Sequence, residues 1–125
     1  MTATMTPVEY VHRQATVASV NELATRLQEV LSRRLTAFTV GVQDSKTVAR
    51  WAASEVVDIR DDEVERRLRV AYEITQLLGA EAPATVRAWF IGLNPHLGDV
   101  APAEAIREGR LADALAAARA FVVGG

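Results

Sequence analysis

Asp61-Asp62-Glu63-Val64-Glu65-Arg66-Arg67-Leu68-Arg69-Val70-Ala71-Tyr72-Glu73-Ile74-Thr75-Gln76-Leu77-Leu78-Gly79 decides the fold. Val64, Leu68, Ala71, Thr75 and Leu78 recur at intervals of three and four, which puts them on one stripe of a helix. Val70, Ile74 and Leu77 widen the stripe, so this helix is expected to touch more than one neighbour. Asp61, Asp62 and Glu63 stand in the first turn, where the helix dipole favours acids. Asp62 and Arg66, Glu63 and Arg67, and Glu65 and Arg69 are spaced four apart in the acid-first order that supports a helix. Gly79 supplies the stop.

The flanking segments also read as helices. Upstream, Ser19 followed by Glu22 is a capping-box pattern, and Val20, Leu23, Leu27, Val30 and Leu31 share one face of the helix it opens. A short second helix carries Leu35, Phe38 and Val42 and is broken by Gly41. Asp44 or Ser45 caps a third, with Val48, Trp51 and Ala52 inward, and Val56 to Arg60 reads as an extended connector. Residues 1–18 have no strong period; a short helix after Pro7 and an unstructured segment both remain open. Downstream, Pro83 fits the first position of a helix running to about Leu93. Asn94-Pro95 ends it, because a residue before proline is pushed out of the helical region. Pro102 starts a short helix that Gly109 stops. A last helix from Leu111 to about Val122 is expected to turn Leu111, Leu115, Ala118 and Phe121 or Val122 to one side. The expected fold is all-α, with six or seven helices and no sheet. Its expected parts are an N-terminal segment (1–18), a helix-turn-helix-like domain (19–60) and a small helical domain (61–125).

Composition narrows the function. With 125 residues and 50 % hydrophobic content the chain can bury one core. Much of that content is alanine, which favours helix but buries little area per residue, so such a chain gains by burying surface against a partner. It has no cysteine, hence no disulfide and no thiolate zinc site. No N-terminal apolar run suggests a signal peptide, and no segment approaches the roughly 20 apolar residues of a membrane span. A cytoplasmic protein with no membrane contact is expected. The net charge of −2 argues against nonspecific nucleic-acid binding by the whole chain but leaves room for a local basic face.

Leu35 to Glu55 looks like a helix-turn-helix whose third helix would be the recognition helix. Ser45, Lys46, Ala49, Arg50 and Ala53 lie opposite Val48 and Trp51. Lys46 and Arg50 are one turn apart and can reach phosphate or a guanine edge, while the small residues between them allow close approach to a groove. Ser45, Lys46, Ala49 and Arg50 are therefore the candidate DNA-binding residues. The competing reading is a plain helical hairpin with two solvated basic residues.

The most specific pattern lies further on: Trp89 just before a helix end, Asn94-Pro95, Leu97 two residues after that proline, then Pro102, Ala105, Ile106 and Gly109 before an alanine-rich helix ending in Gly124-Gly125. Over roughly Arg60 to Gly125 this series resembles the toxin-binding domain of the Xre/MbcA/ParS antitoxins, which neutralise RES-domain toxins that destroy NAD. The resemblance implies a RES-domain toxin as partner, a C-terminal segment that blocks the toxin's NAD pocket, and a homodimer or larger toxin–antitoxin assembly that also binds its operator DNA. It makes Trp89, Asn94, Pro95 and Leu97, at motif positions, and Phe121, Val122, Val123, Gly124 and Gly125, in the blocking segment, candidate toxin-binding residues; Arg119 joins them because a guanidinium can pair with carboxylates at a nucleotide pocket. Each has a plainer role: Trp89 in a core, Asn94 bonding nearby backbone, and the terminal residues as a frayed helix end. A standalone dimeric helix-turn-helix regulator is the alternative function.

Catalysis is not expected. His12 and His96 have no matching acid or serine pattern, the glycines are isolated punctuation, and Asp61 to Glu65 lacks the alternate spacing and glycine of a calcium loop. No metal and no cofactor are expected.

Overall fold

In the computed structural model, which describes residues 4–124, every helix but the last begins where a capping side chain or a proline stands in the sequence. Helix α1 (Pro7–Val17) opens with a complete capping box: Thr6 Oγ1 accepts from the Glu9 amide at 3.1 Å, and the Glu9 carboxylate accepts from the Thr6 amide at 3.0 Å. Within the N-terminal segment left open by its weak period, Pro7–Val17 is thus helical. Helix α2 (Val20–Val30) starts at Ser19, whose hydroxyl accepts from the Glu22 amide. Helix α3 (Arg33–Val40) ends at Gly41, whose φ of 86° closes the helix in the left-handed region that glycine adopts freely.

Helix α4 (Ser45–Ala53) is capped by Asp44, which accepts from the Lys46 amide at 2.8 Å. Helix α5 (Asp62–Leu77) is capped by the Asp61 carboxylate. Helices α6 (Pro83–Ile91) and α7 (Pro102–Arg107) begin with proline in the first turn. Between them Pro95–Leu97 forms one 3-10 turn. Helix α8 (Leu111–Val122) is the last. Among the described residues the fold is all-α: eight α-helices and no strand, with one isolated antiparallel bridge between Asn94 and Val100. None of these helices is long and apolar enough to cross a membrane.

Helix α5 is the axis of the molecule. Its stripe Val64, Leu68, Ala71, Ile74, Thr75 and Leu78 is buried, and α1, α2, α3, α7 and α8 all pack on it. One core joins Leu23, Leu27 and Leu31 of the α2 region, Val40 of α3, Leu68 and Ile74 of α5, Phe90 of α6, Ile106 of α7 and Ala114 and Ala118 of α8. The segments before and after residue 61 therefore share an interior. A small satellite cluster of Leu97, Ala105 and Ala117 lies beside it. Two of the three expected ion pairs on α5 form, Glu63–Arg67 at 3.4 Å and Glu65–Arg69 at 3.1 Å. Asp62 and Arg66 form no salt bridge.

Two helix faces differ from expectation. In α3 the buried residues are Thr36, Ala37, Thr39 and Val40, while Phe38 is 44 % exposed. The threonines enter the interior at little cost because each hydroxyl donates back to a carbonyl one turn earlier, Thr36 to Ser32 and Thr39 to Leu35, both at 2.7 Å. Phe38 stays outside beneath the Arg107 guanidinium, 4.8 Å from its ring centroid. In α8 the docked face is Ala114, Ala117 and Ala118. Leu111 and Leu115, expected to lead the inner stripe, are only half-buried at its border. Alanines let α8 approach the bundle closely, and the larger leucines then fit better at the margin.

Candidate functional site

Two surfaces at different places on the bundle hold the expected site residues. The first is the outer side of α4. Val48 is buried, which turns Lys46 and Arg50 outward; both are exposed, while Ser45 and Ala49 are half-buried between them. The Arg50 guanidinium rests on the Thr47 hydroxyl at 3.1 Å. Trp51 is half-buried against the main core.

Sequence reasoning missed the residue that holds α4 at its other end. The Asn21 side-chain amide, from α2, donates to the carbonyls of Trp51 at 3.1 Å and Ala52 at 2.8 Å. These are carbonyls of the last helical turn, which have no partner within the helix. Asn21 sits beside the Ser19 cap and reads as an ordinary first-turn residue; no local signal marks a contact 30 residues away.

The second surface is where α6 and α8 end. Trp89 stands edge-on to Phe90, centroids 5.3 Å apart, and edge-on to Phe121 at 6.5 Å. Phe90 is fully buried, Trp89 half-buried and Phe121 37 % exposed. The three rings step from core to surface. Beyond Trp89 the chain exposes Ile91 and Leu93; beyond Phe121 it exposes Val122 and Val123, the last at 83 %. Phe121 and Val122 also border a shallow recess of about 100 Å³ with Leu77, Leu78, Ala80 and Glu81. Arg119 and Gly124 are exposed. Gly125 lies outside the described residues.

Two residues of the expected toxin-binding set, Asn94 and Leu97, are buried within the Asn-Pro loop. Asn94 is only 9 % exposed. Its Oδ1 accepts from the His96 amide at 2.9 Å, its carbonyl accepts from the Leu97 and Asp99 amides, and its own amide donates to Val100. Leu97 is 1 % exposed and fills the satellite cluster with Ala105 and Ala117. Arg110 donates to the Leu97 carbonyl at 3.2 Å. In this conformation neither side chain is presented to a partner. Both shape the loop, and Gly98 completes it at φ 70°. Pro95 and His96 are exposed on its outer side.

His12 has a partner the sequence did not suggest. Its Nδ1 lies 2.8 Å from Oε1 of Glu73, a carboxylate buried under α1. Arg69 adds a second tie, donating to the Ala15 and Ala18 carbonyls at 3.0 and 2.7 Å. These contacts fasten α1 to α5. Among the described residues no group of three His, Cys, Asp or Glu side chains could hold a metal ion.

Neither surface has the form of an enclosed catalytic pocket; both offer side chains outward for contact. Comparison with family models, with curated proteins and with solved structures finds no match for the chain.

Proposed function

We propose that this chain is an antitoxin that binds a RES-domain NAD-degrading toxin through the ends of α6 and α8 and covers its active site. The carrying observation is the apolar end of the molecule: Trp89 and Phe121 in edge contact, with Ile91, Leu93, Val122 and Val123 exposed after them. Exposed apolar side chains flanking an aromatic pair can serve as a contact surface, and aromatic anchors carry much of the energy of an interface. Neutralisation in this reading is steric and needs no chemistry from the chain. The contacting set reduces to Trp89, Pro95, Arg119, Phe121, Val122, Val123 and the terminal glycines, with Asn94 and Leu97 as supports.

Co-expression with a RES-domain protein encoded beside it tests this. Co-purification and preserved cellular NAD are expected; undiminished NAD loss and no complex would defeat the proposal. Light scattering of the complex reports whether the chain assembles as a homodimer or within a larger hetero-oligomer.

A second role is favoured by α4. Lys46 and Arg50 project from the side opposite buried Val48, at the end of a helix–turn–helix whose turn closes at Gly41. We propose that this face binds duplex DNA at the operon's own promoter. A chain that binds this duplex but no toxin would be the standalone regulator instead.

A further inference from the structure

Between α3, α4 and α7 the surface forms an open groove of about 570 Å³, lined by Arg34, Phe38, Gln43, Asp44, Ser45 and Arg107 among others. It adjoins the outer face of α4, since Ser45 lines it and Lys46 is the next residue. We propose that this groove seats two backbone phosphates of the duplex whose major groove receives α4, one held by Arg34 and one by Arg107. The proposal rests on the DNA-binding reading of α4 and extends it to a residue from the other half of the chain.

Arg107 is held in place before any ligand arrives. Its Nη1 donates to the Phe38 carbonyl at 2.8 Å, and its guanidinium lies over the Phe38 ring at 4.8 Å. Those contacts occupy one N–H and one flat face of a group with five N–H donors. A guanidinium fixed in this way loses little further freedom on binding an anion, and its fork matches phosphate oxygens.

Arg34 is exposed, and its side chain forms no salt bridge or hydrogen bond among the described residues. The acid at the groove is Asp44, and one of its oxygens is engaged in capping the Lys46 amide. Arg34 and Arg107 therefore outweigh it, and Lys46 adds positive charge next door. The groove is broad and open, which suits a length of sugar-phosphate backbone. The same arrangement explains why Phe38 is left outside the core: its ring is the platform that aims Arg107.

The test measures binding of a labelled duplex from the chain's own promoter region across a salt series. The variants are Arg34→Gln, Arg107→Gln, the double variant and, as a control off the groove, Arg13→Gln. Each phosphate contact contributes about 0.9 to the slope of log K against log salt. The double variant is expected to flatten that slope by nearly 2 and to weaken binding roughly tenfold or more near physiological salt. Arg13→Gln should leave the slope unchanged.

Arg34→Gln guards against a folding artefact, because the Arg34 side chain has no hydrogen bond or ion pair to lose; alone it should flatten the slope by about 1. An unchanged slope in the double variant, while Lys46→Ala with Arg50→Ala abolishes binding, would overturn the groove assignment and leave the DNA reading standing. Absence of duplex binding by the wild-type chain would overturn both. Binding of inorganic phosphate at the groove without duplex binding would overturn the duplex as its occupant.

Discussion

The Asn21 side-chain nitrogen lies 2.8 Å from the Ala52 carbonyl oxygen, so α2 closes the C-terminal end of α4. Asn21→Ala leaves two last-turn carbonyls without that donor. A net loss of about 1–2 kcal/mol is expected, read as a lower urea midpoint with an unchanged m-value. Duplex binding should weaken as well, because the end of the helix that presents Arg50 loses its anchor.

Lys46→Ala combined with Arg50→Ala should weaken duplex binding and reduce its salt dependence, while toxin neutralisation is retained. Both side chains are exposed on α4, away from the Trp89–Phe121 junction. Loss of neutralisation in this variant, with the fold intact by circular dichroism, would place the toxin on α4.

Phe121→Ala should cost about 2 kcal/mol or more of toxin affinity, the scale of an aromatic hot spot. The loss in the chain's own stability should be smaller, because the ring is already 37 % exposed. Deleting residues 122–125 should reduce neutralisation with little change in melting temperature. A cut before Ala118 would be uninformative, since Ala118 is fully buried and its removal unfolds as well as truncates. Full neutralisation by the 122–125 deletion would shift the contact to the surface around Trp89, Ile91 and Leu93.

Leu97→Ala tests the opposite expectation. The side chain is 1 % exposed among Ala105 and Ala117, so truncating it leaves a cavity and should cost about 2–5 kcal/mol of stability. Toxin affinity measured on the folded fraction should hold. A stable Leu97→Ala chain that fails to bind toxin would make Leu97 a contact after all.

These outcomes follow the line between what local sequence carries and what it does not. Asp61, Pro83, Pro102, Gly41 and Gly109 mark helix ends through backbone chemistry that operates within a few residues, and the helices begin or stop there. The Thr6–Glu9 capping box belongs to the same class of signal and was legible, though the weak period of residues 1–18 obscured it. Inner faces were harder. A period cannot tell Phe38 from Thr39 when the threonine satisfies its own hydroxyl, and it undervalues alanine on a helix such as α8. The site depended most on distant contacts. Arg107 reaches Phe38 across 69 positions and Arg69 reaches Ala15 across 54, so only the folded chain brings the groove and the α1 ties together.

The interior that joins α2, α3, α5, α6, α7 and α8, with Trp51 of α4 packed against it, has a thermodynamic consequence. If the two ends cannot unfold separately, a protein clamped on α8 also protects the helices proposed to face DNA. Toxin at one hundred times its dissociation constant would add about 2.7 kcal/mol to unfolding. The slowest-exchanging amides of α2 and α4 would slow by about a hundredfold in the complex, although nothing touches them. Occupancy at one end of the chain would thereby be recorded in the exchange lifetimes at the other.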